Sequence, residues 1–283
     1  MHHAEILRYA AFTDDPGGGN PAGVVLDASG LDATMMLAIA ARVGYSETAF
    51  VLRSSSGELD VRYFSPEAEV PFCGHATIAL GVAWAERRGF EALRLQTPAG
   101  LVCLEIAPDA EGGPPTATLT SVPPRVSPVA AADLTEALAA LGWSAEELDT
   151  ALPPRIAFAG ALHLVLAAAT PERLTDLHYD FDRLRRLMDR RGWTTLQLVH
   201  RTGPASFRAR NPFPPGGVVE DPATGAAAAA LGGYLRTLGA ITPPVRLTVC
   251  QGEEIGRPSL LTVDVGEGTG GIRVSGSAVP IAA

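Results

Sequence analysis

The chain has 283 residues, 47% of them hydrophobic and 19% charged, with a net charge of −9. That length can bury a large core and supply two ordinary domains, while the acidic balance argues against nucleic acid, whose phosphates need a basic face. All 22 basic residues are arginine, which excludes an internal Schiff base to pyridoxal phosphate, a Schiff-base aldolase and a phosphate-loop lysine.

In chain order, Ile6–Phe12 predicts a strand, a turn cluster runs from Asp14 to Pro21, and Gly23–Leu26 predicts a second strand. Asp32 is a suitable N-cap for a helix through Arg42, with Gly44 as its stop. Strands follow at Tyr45–Leu52 and Asp60–Phe64, then a helix from Gly74 to Arg88, then strands at Leu93–Gln96 and Leu101–Ile106. The Gly- and Pro-rich segment Pro108–Pro128 reads as a domain junction. Beyond it come a helix at Asp133–Leu141, a strand at Leu162–Ala168 and a helix at Phe181–Arg191. Strands at Leu196–His200 and Ser206–Arg210 lead to a helix ending near Leu238, with strands at Arg246–Cys250 and Leu260–Val265. A last strand, Ile272–Val279, lacks a partner in its own half and is expected to return to the first. The division predicted is 1–122 plus 271–283 against 123–270.

Met1–Ile6 shows no basic region followed by an apolar one, and no stretch approaches the roughly eighteen apolar residues of a membrane span. Cys73, Cys103 and Cys250 are odd in number and form no CxxC pair. Both features suit a cytoplasmic protein in a reducing compartment.

Two stretches 151 positions apart repeat one another. Glu69–Gly81 and Glu220–Gly232 align without a gap and coincide at seven of thirteen positions. Two copies imply two similar lobes rather than a solenoid. The mismatches carry the chemistry: His75 faces Ala226, Cys73 faces Thr224 and Val70 faces Asp221. Reactive groups are thus spread unevenly over a symmetric frame.

Familiar site types fail individually. Gly17–Ala22 fits GxGxxA superficially, but a strand and not a helix follows. There is no GxSxG elbow, and the six histidines show neither HxH nor HExxH spacing, so no metal site is expected. Asp221 before Pro222 reads by itself as a helix cap. His75 reads by itself as a packed first-turn residue, although a helix N-terminus would favour its neutral form. Glu47 reads as the outer face of a strand, and Cys73 as a small buried thiol.

Together, however, these residues lie in an ordered set of motifs: Gly19-Asn20-Pro21-Ala22-Gly23, Ser46-Glu47-Thr48-Ala49-Phe50, Pro71-Phe72-Cys73-Gly74-His75-Ala76-Thr77, Glu220-Asp221-Pro222-Ala223-Thr224-Gly225, Gln251-Gly252-Glu253 and Ser275-Gly276-Ser277. Over essentially the whole chain the set resembles the PhzF-like isomerases, relatives of diaminopimelate epimerase. The resemblance implies an α/β (α+β) fold of two lobes, each a curled, mostly antiparallel sheet around a central helix. It also implies an active site in the cleft between the lobes and a homodimer. The family's acid/base glutamate matches Glu47, its histidine His75 and its aspartate Asp221. Asn20, Cys73, Gly74, Thr224, Gly225 and Ala226 would contact the substrate, a small carboxylate held by helix-terminal amides.

The implied reaction needs neither cofactor nor metal. Glu47 takes a proton from carbon and returns it elsewhere in the same allylic system, its pKa lifted towards neutrality by a dry cleft. Ala226 stands where the family commonly has Ser, which removes a hydroxyl contact. Cys73 resembles the first acid/base cysteine of diaminopimelate epimerase, but the second motif offers no opposing thiol. The expected function is therefore a cofactor-independent isomerase moving a proton and a C=C bond, in specialised, antibiotic-type metabolism. An amino-acid epimerase or racemase and a catalytically silent small-acid binder are the alternatives.

Overall fold

The computed structural model describes residues 4–55, 57–110 and 112–282; of the N-terminal stretch read above, residues 1–3 lie outside the described residues. The fold is mixed α/β in two units, the first formed by the chain up to Thr120 with the segment from Ser275, the second by Ser121–Val274.

The first unit contains β1 (Leu7–Ala11), β2 (Asn20–Val25), α1 (Ala33–Val43), β3 (Glu47–Ser55), β4 (Glu58–Phe64), β5 (Glu69–Val70), α2 (Gly74–Arg88), β6 (Leu93–Thr97), β7 (Gly100–Ala107) and β8 (Thr116–Thr120). The C-terminal strand, Arg273–Pro280, pairs antiparallel with β1, so the sheet closes into an eight-stranded barrel. Local signals place α1 well: the Asp32 carboxylate accepts from the Met35 amide, and Gly44 ends the helix in a left-handed conformation. The barrel encloses α2, where every residue from His75 to Ala85 is buried, as befits a helix apolar all round.

The second unit contains β9 (Arg125–Pro128), α3 (Ala131–Leu141), β10 (Arg155–Phe158), β11 (Leu162–Ala167), α4 (Pro171–Thr175), α5 (Phe181–Arg191), β12 (Thr195–Gly203), β13 (Ser206–Arg210), β14 (Pro212–Phe213), β15 (Val218–Glu220), α6 (Gly225–Thr237), β16 (Val245–Gln251) and β17 (Ser259–Val265). Here α6 is the central helix, buried from Ala227 to Leu235. Among the described residues no helix is long and apolar enough to cross a membrane.

The duplication extends beyond the thirteen-residue motif. From the C-terminal strand through β1, β2, β3, β4, β6 and β7, successive pairings are antiparallel, antiparallel, parallel, antiparallel, parallel and antiparallel. From β9 through β10, β11, β12, β13, β16 and β17 the same series recurs. The last glycine of each motif copy packs its central helix on the corresponding strand. A Cβ on Gly81 would lie 2.6 Å from Leu104 of β7, and one on Gly232 would lie 3.0 Å from Val263 of β17.

An ion pair is duplicated too. Phe50 of β3 pairs with Arg62, and Leu198 of β12 pairs with Arg210. Arg62 bonds both oxygens of Glu69, and Arg210 both oxygens of Glu220. Each pair braces the segment that leads into a central helix.

Two local readings are corrected, and one holds. The turn after β1 ends at Gly19, because Asn20 and Pro21 are in register with Ala11 and Ala10. The predicted junction Pro108–Pro128 holds the boundary between the units, at Thr120 and Ser121, and on either side of it β8 and β9 take their hydrogen bonds from β7 and β10. The short strand β10, directly after Pro153-Pro154, gave no periodic signal and is held by β9 and β11 on either side.

Candidate active site

Four side chains of the first unit converge at the start of α2. Asn20 opens β2 and Glu47 opens β3, and these strands run parallel with Ala22 opposite Glu47. Cys73 is the N-cap of α2 and His75 its second residue. The helix start is fixed from below: the Thr77 hydroxyl donates to the Cys73 carbonyl at 2.7 Å and bonds the buried Tyr63 hydroxyl at 2.7 Å. Burial keeps that phenol neutral by raising its pKa. The Tyr63 ring also meets Phe72 edge-on at 5.8 Å, which sets the residue before Cys73.

Within this group His75 Nε2 lies 3.3 Å from Glu47 Oε2, and the Cys73 thiol donates to the same oxygen at 3.5 Å. The Asn20 amide nitrogen is 3.2 Å from His75 Nδ1. The side chains of His75 and Glu47 are only 7% and 15% exposed. Ser46, absent from the sequence-based site, places its hydroxyl 3.3 Å from His75 Nε2. Its one signal was its position next to Glu47.

In the second unit Asp221 is not the helix cap that Asp-Pro suggested. Thr224 is the N-cap of α6, and its hydroxyl donates to Asp221 Oδ2. Gln251, at the end of β16, fixes the loop through its amide: Nε2 donates to the Asp221 carbonyl at 2.7 Å, and Oε1 accepts from the Thr224 amide at 3.3 Å. Gly252 follows at φ +79, and a Cβ there would stand 2.7 Å from the Pro222 carbonyl. The motif Gln251-Gly252 thus works by holding the Asp221 loop. Gly225 and Ala226 form the partly exposed start of α6. Neither Cys73 nor Thr224 makes a side-chain cap bond to its own helix.

The two units differ where the base would be. Thr195 opens β12 opposite His163, as Glu47 opens β3 opposite Ala22. Thr195 is buried and bonded to His163 Nδ1 at 2.8 Å and to the Asn211 amide at 3.1 Å. One half carries a carboxylate at this position and the other a hydroxyl.

Residues 9–283 match the sequence profile of the phenazine biosynthesis-like proteins, PhzC-PhzF. The chain belongs to this family. A protein named an uncharacterized isomerase from Deinococcus radiodurans is 37% identical over 275 residues, covering 94% of this chain and 89% of the relative. A trans-2,3-dihydro-3-hydroxyanthranilate isomerase from Pseudomonas chlororaphis is 34% identical over 262 residues, covering 92% and 89%. The crystal structure of a PhzF-family phenazine biosynthesis protein from Bacillus anthracis superposes with a TM-score of 0.89 at 27% identity, covering 100% of this chain and 98% of the other. This PhzF-family chain is therefore an isomerase, or epimerase, of that family.

His163 gives this PhzF-family member a measurable acid sensitivity. Burial holds its imidazole pKa down to about 4, below the value of about 6.5 in an unfolded chain. As pH falls through 6.5 the unfolded chain takes up the proton first, so stability is lost progressively until about pH 4. The loss from this residue should reach about 2–3 kcal/mol near pH 4.5 relative to neutral pH. Urea denaturation across this range should show a shallower acid slope for His163→Gln than for the parent chain. Equal slopes would contradict the assignment.

Proposed function

We propose that the chain catalyses a cofactor-independent allylic isomerisation of a small unsaturated carboxylate, with Glu47 as the single proton carrier. The reading rests on the asymmetry just described: an ionisable oxygen at the head of β3, against a threonine hydroxyl at the head of β12. Glu47 Oε2 takes the proton from the sp³ carbon, and the electron pair shifts into the adjacent double bond. The same carboxyl group then protonates the far end of the allylic system, so bonds and protons balance without a second base. His75 and Asp221 would orient the ligand. The ligand carboxylate would meet the amides at Gly74 and His75, at a helix start whose N-cap side chain makes no cap bond. The relatives named trans-2,3-dihydro-3-hydroxyanthranilate isomerases support a cyclic, unsaturated amino acid as the substrate class.

The direct experiment is NMR of the product formed in D₂O, with that dihydrohydroxyanthranilate and related unsaturated amino acids as trial substrates. Deuterium should enter the new sp³ carbon on one face, with some substrate hydrogen retained if Glu47 transfers it faster than it exchanges. Label at one unchanged stereocentre with inversion would instead establish an epimerase.

Cys73 separates the two readings a second time. It faces Glu47 and His75, but its counterpart in the second motif is Thr224. Cys73→Ser should cost no more than about tenfold in rate if the thiol only shapes the site. A thousandfold loss, of the order expected for a removed acid/base group, would favour the epimerase.

A further inference from the structure

The core of the second unit holds a group of polar side chains that packing does not call for. His163, Thr195, Gln197 and Asn211 are each no more than 1% exposed. The Asn211 amide nitrogen lies 3.1 Å from the Thr195 hydroxyl and 2.6 Å from the Gln197 side-chain oxygen, and Thr195 continues to His163 Nδ1 at 2.8 Å. Among the described residues, His163 Nε2, Gln197 Nε2 and Asn211 Oδ1 have no protein partner. A buried network that is only partly satisfied costs stability, and apolar side chains of similar size would fill the space without that cost. Departures of this kind mark positions whose work is functional.

The backbone shows what that work is. The Asn211 carbonyl accepts the Asp221 amide at 3.0 Å, one step beyond the Pro212–Glu220 pair of β14 and β15. Pro212 has no N–H to contribute at that end of the hairpin. The hold on the Asp221 peptide groups falls to the Asn211 carbonyl on one side and the Gln251 amide on the other. We infer that Asn211 is a positioning residue for Asp221: its side chain, locked by Thr195 and Gln197, fixes the carbonyl to which the Asp221 amide is bonded. The inference rests on the reading that Asp221 orients the ligand. The first unit supports it by position. There Tyr63 follows Arg62 as Asn211 follows Arg210, and Tyr63 steadies the start of α2 through the Thr77 hydroxyl. A phenol in one unit and a carboxamide in the other thus brace the segment that carries the site residues. A leucine at 211 keeps the volume and the carbonyl but loses both side-chain bonds, so the peptide can tilt. A displacement of about 1 Å at an orienting group costs about a hundredfold in rate.

Amide hydrogen exchange in the intact protein tests the placement without any substrate. In Asn211→Leu the Asp221 amide should exchange at least about tenfold faster than in the parent, while the buried run of α6 from Ala227 to Leu235 keeps its protection. Thr195→Val and Gln197→Met each remove one side-chain bond and should give the same change on a smaller scale, which keeps the inference testable if Asn211→Leu misfolds. Unchanged exchange at Asp221 in folded Asn211→Leu, or in both milder variants, would overturn it. Turnover gives a second readout. Asn211→Leu should lower kcat/KM by about ten- to a hundredfold and cost nothing further in an Asp221→Ala background. Equal losses in both backgrounds would show a purely structural role and overturn the inference. If Asp221→Ala alone leaves binding and rate intact, the orienting role of Asp221 fails, while the exchange result still decides whether Asn211 holds that residue in place.

Discussion

Glu47→Gln is expected to lower turnover by about 10²–10⁴-fold, or about 3–5 kcal/mol of transition-state stabilisation. The amide keeps the side-chain shape next to His75 and Cys73 but cannot carry a proton. Binding of the substrate acid should be largely preserved, since its carboxylate is assigned to backbone amides and not to Glu47. Calorimetric binding with stopped-assay rates separates the two effects. His75→Ala and Asp221→Ala should behave differently, weakening binding and rate together, because their assigned work is orientation. A Glu47→Gln enzyme near the parent rate would end the single-carrier mechanism.

A comparable effect on stability is expected at Glu220. Its carboxylate and the Arg210 guanidinium form an ion pair whose side chains are 1% and 8% exposed. Glu220→Gln would leave a buried cation with its hydrogen bonds to the Leu174 and Thr175 carbonyls but without its counter-charge. Such a loss costs about 3–5 kcal/mol. The duplicated pair supplies an internal control. Arg62 and Glu69 are 28% and 34% exposed, and Glu69→Gln should cost about 1 kcal/mol or less. Urea denaturation of both variants measures the contrast, and equal losses would show that burial does not set the difference. Glu220 directly precedes Asp221, so its variant should also weaken ligand binding.

Five helices were legible in the sequence because their signals are local, whereas the five-residue α4, Pro171–Thr175, was not read. Asp32 and Gly44 cap α1 by their own chemistry, and the long apolar run of α2 marks an enclosed helix. The repeated motif revealed that two halves share one plan. It also showed which half holds Cys73 and His75, since side-chain identity needs no fold to be read. Tertiary structure decided whatever depends on partners far along the chain. Pro-rich segments became β8, β9 and β10 because neighbouring strands offered them hydrogen bonds. Asp221 yielded the cap position to Thr224 once Gln251 fixed the loop from 30 residues away. Parallel pairing of β2 with β3 brought Glu47 to a helix start 26 residues later. The burial that makes Arg210–Glu220 costly to break, and leaves Arg62–Glu69 half in water, is a property of packing that neither sequence segment contains.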